Sequence, residues 1–414
     1  MPVLWRTGSS GGLRLAARPA RKPSTVSAQG TIVGLGTSEI GRAYRKSAGE
    51  LAADAVVNAV ADAGLELSDV DGLLMSNGLT PSSPPVSSSL GMQDLTLSLA
   101  VSTQGATAGA AVQFACLAIQ AGMAKTIVYV HSDCPLQQAG ASAGDAYRSS
   151  IRQRGATGFP SMNRAIGLDG VNQRYALMTR RHMAAYGTTS EQLGAIAVSQ
   201  RSWATMNPLA QMRDPITIDD HQNSRWIAEP LHLLDCCLVS NGAVAVVVTS
   251  ADRARDLPQP PVYVWGWGQC HPGYPNSRGS EAGLQSGATI SGKQAFAMAG
   301  IGLDDIGVRE LYDCYTFTTL ITLEDYGFVP KGEGGPFAAT GALGPGGSMP
   351  TNTGGGQLSS FYLWGATPLH EAVIQSRGHG GDRQVPNHDF VLVSGNGGVL
   401  DHHATLILGA NPRS

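Results

Sequence analysis

The chain has 414 residues, 42% of them hydrophobic, and a formal net charge of −3. That length suits two domains, or one large duplicated α/β unit with a sizeable core. The slight acidity excludes the basic surface of a nucleic-acid binder, and no apolar run approaches the length of a membrane span.

The first 28 residues carry Arg6, Arg14, Arg18, Arg21 and Lys22 and no acid. They read as a disordered or transit-like tail, without the continuous apolar stretch of a secretory signal. Residues Gly30 to Gly36, GTIVGLG, predict the first strand and turn. A helix follows from about Ser47 to Ala63, with Leu51, Ala55, Val56, Ala59, Val60 and Ala63 at helical spacing. DVDGLLMS, from Asp69 to Ser76, predicts the next strand. The proline- and serine-rich stretch from Thr80 to Ser89 predicts a loop. The small-residue helix ATAGAAVQFACLAIQAG suits a buried central position, where another backbone must come close. The strand TIVYVHSD follows it.

From Cys134 to about Leu231 the α/β rhythm stops, and Arg, Gln, Met and Tyr become frequent. This predicts a mostly helical insertion lying over the site. An internal echo comes next. SNGAVAVVVTS, Ser240 to Ser250, and SGNGGVLDHHATLILG, Ser394 to Gly409, both read as an Asn-Gly turn leading into an apolar strand. Between them, Val262 to Trp267, a helix near Gln294 to Ala299, and Val308 to Tyr315 begin a second α/β half. Two similar halves imply a duplicated fold. The domain division is then a tail over 1–28, a first half over 29–255 and a second half over 256–414.

The six cysteines, Cys116, Cys134, Cys236, Cys237, Cys270 and Cys314, contain no C-x-x-C pair. A zinc ribbon or redox motif within the chain is therefore not supported. Their scatter reads as unpaired thiols in a reducing compartment, the cytoplasm.

The segment Asn352 to Pro368, NTGGGQLSSFYLWGATP, holds the frame of a thiolase active-site segment, N-x-x-G-G-x-x-x-x-G-H-P-x-G-A-T, at Asn352, the glycines 354 to 356 and Gly365-Ala366-Thr367. Four further pieces stand in family order: QGATAGAAVQFACLAIQAGMA, YGTTSEQLGAIAVSQRSWATMNPLAQ, LLDCCLVSNGAVAVVV and ELYDCYTFTTLITLEDYGFVPKGEGG. From Gly30 to Gly409 the chain resembles the thiolase superfamily, and within it the branch of the sterol-carrier-protein thiolases. The resemblance implies a five-layered α-β-α-β-α fold, a homodimer and a CoA thioester as substrate, with no metal and no further cofactor.

The departures from that pattern carry the functional reading. The family's nucleophilic cysteine falls on Gly105, after Gln104. Its catalytic histidine falls on Tyr362. Its Asn- or His-led oxyanion motif reads Tyr312-Asp313-Cys314-Tyr315, and no cysteine follows Cys314. A site without a nucleophile cannot carry an acyl group, yet it can still stabilise a thioester enolate. Tyr312 and Tyr362 are the candidate acid and base. Asp313 either orients a tyrosine or holds a helix start. His402 is a candidate proton shuttle, with its neighbour His403 as the alternative. Gly105, Gly355, Gly356, Gly397 and Gly398 are candidate positions where backbone passes close to the thioester. Arg180, Arg181 and Arg201 could meet CoA phosphates, but basic residues in a helical insertion read more readily as a solvated face, and they are left out of the candidate site.

The reaction implied is a retro-aldol cleavage of a 3-hydroxyacyl-CoA, as in the lipid-transfer-protein aldolases that remove a steroid side chain as propionyl-CoA. Those enzymes imply a small partner of OB-fold and zinc-ribbon type. A thiolase with a displaced cysteine and a non-catalytic acyl-CoA carrier stay open as alternatives.

Overall fold

The protein is described from a computed structural model, covering residues 29–78, 85–136, 159–168, 170–273 and 281–413. The N-terminal tail, the first part of the loop at Thr80 and part of the insertion after Leu136 lie outside the described residues. Ser47 caps the first helix, α1 (Ala48–Asp62), in a capping box with Glu50. The buried stripe Leu51, Ala55, Val56, Ala59 and Val60 then packs α1 on the sheet, as its spacing predicts.

One sheet of nine strands runs through the molecule. In chain order these are β1 (Gly30–Thr37), β2 (Gly72–Asn77), β3 (Leu97–Ala100), β4 (Thr126–Asp133), β5 (Gly242–Ser250), β6 (Val262–Cys270), β7 (Val308–Glu310), β8 (Phe390–Gly397) and β9 (His402–Gly409). Their spatial order is β3-β2-β4-β5-β1-β6-β9-β8-β7. Reading outward from the centre, β1-β5-β4-β2 mirrors β6-β9-β8-β7. The strand directions match as well, with two antiparallel pairs and then a parallel one on each side. Even the outer strand β3 has a counterpart, a parallel bridge from Arg309 to Thr351. The duplication is therefore real. The two sides join through a short antiparallel contact of Thr31 with Tyr263 and Ile32 with Val262.

Two central helices, α2 (Thr107–Gln120) and α7 (Ala366–Ser376), each touch strands of both sides. Helix α1 covers one outer face, and α5 (Ala288–Ala299) covers the other. This gives the five layers. The small residues of α2 are needed there. A Cβ on Gly109 would come within 2.8 Å of the Ala404 side chain, and Gln113 Nε2 donates to the Gly268 carbonyl at 3.1 Å.

The described insertion is mainly helical, led by α3 (Val171–Tyr186) and α4 (Ser190–Ala204). The last named helix, α6 (Thr316–Tyr326), packs against α4.

Four local expectations need correction. The strand at Asp69 starts only at Gly72, because Leu67–Asp69 closes a tight turn and Asp71 caps the Lys125 and Thr126 amides. Within the expected loop, Val86–Ser89 forms one helical turn. The strand expected over Val308 to Tyr315 ends at Glu310, and the chain from Leu311 leaves the sheet. Asn396-Gly397 lies inside β8. The turn is Gly398 to Asp401, with Gly398 at φ 69° and Leu400 at φ 63°.

Candidate active site

The starts of the two central helices meet at one point. Gly105 precedes α2 and Gly365 precedes α7. A Cβ on Gly365 would lie 2.3 Å from the Gly105 carbonyl oxygen. The residue before each glycine has a left-handed backbone, Gln104 at φ 52° and Trp364 at φ 49°. Such conformations cost energy for residues with side chains and persist where the surroundings impose them. The β8–β9 hairpin closes this point from the side. A Cβ on Gly395 would lie 2.9 Å from the same Gly105 oxygen.

Gly105 also faces Tyr312. A side chain at 105 would meet the Asn396 carbonyl oxygen at 2.2 Å and the Tyr312 ring at 2.5 Å. The space in which a nucleophile on this helix start would stand is thus filled by a phenol ring. Across it, Tyr312 Oη and Tyr362 Oη are hydrogen-bonded at 3.0 Å, with the rings edge-on. Burial pushes the Tyr312 phenol well above its usual range, with the nearby Cys314 adding to the shift. Tyr312 is therefore a neutral proton donor at physiological pH. Tyr362 is half-buried, and its backbone N–H donates to Ser240 Oγ at 3.0 Å.

A profile of the family described as thiolase C-terminal domain-like matches residues 269–410. A steroid side-chain-cleaving aldolase of Thermomonospora curvata is 39% identical over 387 residues, covering 92% of this chain and 97% of that protein. A 17-hydroxy-3-oxo-4-pregnene-20-carboxyl-CoA lyase of Mycobacterium tuberculosis is 39% identical over 391 residues, covering 93% of this chain and 100% of its own. The chain belongs to the thiolase superfamily. A solved structure described as the Ltp2-ChsH2(DUF35) aldolase superposes with a TM-score of 0.82 at 36% identity, covering 94% of this chain and 100% of that one.

In this thiolase-superfamily member the glycine-rich part of the segment, Asn352 to Ser360, frames the site, and Tyr362 follows it. Asn352 Oδ1 accepts from the Leu311 amide at 2.6 Å. Thr353 donates to Glu310 through its amide and its hydroxyl, at 3.0 and 2.7 Å. Asp313 accepts the Gln357 amide at 2.9 Å and the Leu358 amide at 3.2 Å. Of its two open readings the geometry selects the helix start, since its carboxylate holds the turn Gly356–Ser360.

The five glycines divide. Gly105 and Gly397 line the junction, where a Cβ on Gly397 would lie 3.2 Å from the Gly105 nitrogen. Gly355 faces Ala204 and Gly356 faces Asp313, so both serve packing of the loop, at φ 95° and 60°. Gly398 belongs to the hairpin turn beside Asp401. His402 is half-buried and hydrogen-bonded to His271 at 2.9 Å, rather than to either tyrosine. His403 is buried, bonded to Tyr326 and Ser394, and held neutral by burial with its pKa down to about 3. It is not a shuttle poised near neutrality.

Three residues that the sequence reading gave no place in the site lie near it. Tyr175, from α3, donates to the Gly398 carbonyl at 3.1 Å and accepts from Asn396 Nδ2 at 3.2 Å, with its ring 4.5 Å from that of Tyr315. Asn396 is buried, and its Oδ1 has no partner among the described residues, which leaves an acceptor beside the junction. Arg201 is not on a solvated face. It is buried in α4, and its Nε donates to Ser359 at 2.9 Å. With Asn207 Nδ2 donating to the Gly354 carbonyl at 2.8 Å, it braces the glycine-rich loop. Arg180 is exposed and pairs with Glu229.

Among the described residues no cluster of three or more His, Cys, Asp or Glu side chains is placed to hold a metal ion. None of the described helices is long and apolar enough to cross a membrane.

Proposed function

We propose that this protein is an acyl-CoA aldolase that cleaves a 3-hydroxyacyl-CoA by a retro-aldol reaction. The observation that carries this reading is the Tyr312 ring standing where a side chain on Gly105 would be, with its hydroxyl paired to that of Tyr362. The relatives' names supply the substrate class, a steroid side-chain CoA thioester with a 17-hydroxyl.

The bonds balance as follows. A base takes the proton of the β-hydroxyl, the oxygen's electrons form the ketone, and the Cα–Cβ bond breaks. Its electron pair becomes the thioester enolate. A proton returned to Cα gives propionyl-CoA in the steroid case. No acyl carrier and no electron acceptor are involved. Tyr312, neutral and buried, is the group to donate to the enolate oxygen. Tyr362, which reaches the more open side, is the group to exchange the proton, and the bond between the two hydroxyls links the roles.

The alternative of a displaced thiolase cysteine is disfavoured chemically. Burial pushes the thiols of Cys116 and Cys314 up to about 12, so neither supplies a thiolate at neutral pH. We further propose that the chain works as a homodimer in complex with a second, DUF35-type protein, the small OB-fold and zinc-ribbon partner implied by the resemblance. The neighbour described as the Ltp2-ChsH2(DUF35) aldolase supports this. All six cysteines are free thiols, which fits a reducing cytoplasm.

The test is carbon–carbon cleavage of a 17-hydroxy steroid acyl-CoA, with and without such a partner. Tyr312→Phe and Tyr362→Phe each lose about 10²- to 10⁴-fold in rate, while Cys116→Ala stays near normal. Near-normal phenylalanine variants beside a dead cysteine variant would refute the aldolase and install a displaced nucleophile.

A further inference from the structure

Helix α5 and the turn after it border a second cleft, of about 220 Å³, on an outer face of the molecule. Thr289, Gly292, Lys293 and Phe296 line it from one face of α5, at helical spacing. Ile301 and Leu303 close it from the turn, and Tyr326 closes it from α6. Phe296 and Ile301 pack on the buried core that holds Tyr326. A Cβ on Gly292 would come within 2.6 Å of the Tyr326 ring, so the ring lies directly on the helix. Tyr326 ends α6, about 15 Å along the axis from the helix start that follows the Tyr312 motif. The cleft is therefore separate from the junction at Gly105.

The polar groups of the lining are satisfied within the protein, except one. Asp325 is the only acid there, and its side chain is 2% exposed. Its two oxygens are taken by Lys331 Nζ at 2.6 Å and by the Ser286 amide at 2.6 Å. The Thr289 hydroxyl donates to the Ser286 carbonyl at 3.2 Å, and the Tyr326 hydroxyl is bonded to Thr405 at 2.7 Å. Lys293 is the only base in the lining. It is exposed and makes no ion pair among the described residues. An apolar hollow with one unpaired cation at its mouth fits an anion with an apolar tail. At roughly 30 Å³ for each methylene- or water-sized group, the hollow holds about seven of them.

We propose that this cleft is a second binding site, for a free carboxylic acid with an apolar chain of about seven carbons. The chain lies against Phe296, Ile301, Leu303 and Tyr326, and the carboxylate meets the Lys293 ammonium at the mouth. Burial of the chain supplies the affinity. The ammonium selects an acid over an alcohol or amine of the same length, and Lys331 offsets the charge of Asp325 behind it. Because Lys293 is exposed, salt screens the contact, so binding weakens as ionic strength rises. The site takes the free acid, without CoA, and its occupation needs no catalysis.

The experiment titrates octanoate, 1-octanol and octylamine into the full-length protein by calorimetry at pH 7.5 and low salt. The expected result is saturable binding of one octanoate per chain, with the alcohol and the amine each at least about fivefold weaker. Lys293→Glu, at an exposed position, leaves the melting temperature unchanged and weakens octanoate by at least about fivefold. Thr289→Trp fills the hollow and abolishes binding. Octanoate that binds the Lys293→Glu variant as tightly as the parent, or no better than octylamine, overturns the proposal. So does the absence of saturable binding. Octanoate still bound to a folded Thr289→Trp variant places the acid elsewhere, such as at the junction, and overturns it too. Should that variant fail to fold, the charge reversal and the octylamine comparison decide alone. None of these readouts depends on cleavage, so a protein that binds the acid yet cleaves no thioester loses the aldolase reading and keeps this site.

Discussion

At the scale of single residues, the exchange of a nucleophile for a glycine is one half of a paired change. A phenol ring packs against Gly105 and, with the Asn396 carbonyl, leaves no room there for a side chain. Putting a side chain back must displace the ring or the Asn396 carbonyl. Gly105→Ala is therefore expected to lower stability by about 1–3 kcal/mol and to reduce cleavage, read as a lower melting temperature and a slower turnover. Gly105→Cys is expected to behave likewise and to show no acyl transfer. Thiolase activity in that variant would contradict the paired change. Asp313 carries a second prediction. Burial raises its carboxyl to about 7, against the pull of the amides it accepts. Between the ordinary carboxylate range and about 7, the folded protein holds a proton that the unfolded chain has released. Stability therefore falls as pH rises through that window and is level above it. Asp313→Asn keeps an acceptor for Gln357 and removes the slope. Denaturant midpoints of the two proteins at pH 5 and pH 8 should show the parent gaining less than the variant on going to pH 8, since the Asp313 slope opposes that of the buried histidines. Equal gains would mean that Asp313 is ionised throughout.

At the scale of elements, the insertion acts as a brace. Helix α4 grips the glycine-rich loop through Arg201 and α3 delivers Tyr175 to the hairpin. What holds α3 is a buried ionic node. His182 Nε2 lies 3.0 Å from Glu324 Oε2, and Lys331 lies 3.3 Å from the same oxygen. Burial alone would raise Glu324, but His182 and Lys331 together hold it below its ordinary value. His182→Leu leaves the buried carboxylate with Lys331 alone. The expected loss is on the order of 3 kcal/mol, read in thermal unfolding, with reduced cleavage as Tyr175 loosens. An unchanged melting temperature would show that the node contributes nothing.

The whole molecule responds to acid through groups spread over both sides of the sheet. His131, His370 and His403 are buried and kept neutral, each with its pKa down to about 3. Below the ordinary imidazole range the unfolded chain takes up protons that the folded one refuses. Stability therefore falls as pH drops from about 6.5. Each imidazole contributes up to about 1.4 kcal/mol per pH unit, so the three outweigh the opposing slope of Asp313. Unfolding free energies at pH 7, 6 and 5 should decrease in that order. A protein more stable at pH 5 than at pH 7 would not contain three neutral buried imidazoles.

The sequence alone determined the duplicated plan, because strand and helix periodicities are local and recur in both sides. It also showed that the positions of the family's nucleophile and histidine hold Gly105 and Tyr362, because these are single positions in recognisable segments, while a displaced cysteine stayed open. Boundaries failed where a side chain capped a neighbour, as at Asp69, or where the chain had to leave the sheet, as at Leu311. Only the tertiary structure decided that Tyr312 fills the room beside Gly105, that Asp313 serves a turn, and that Arg201 is buried. It alone placed Tyr175 beside Asn396. Each of these is a contact between residues distant in sequence. Local pattern encodes which face of an element is buried, but not which partner meets it there. That choice is made when the two sides of the sheet and the insertion close on the helix starts.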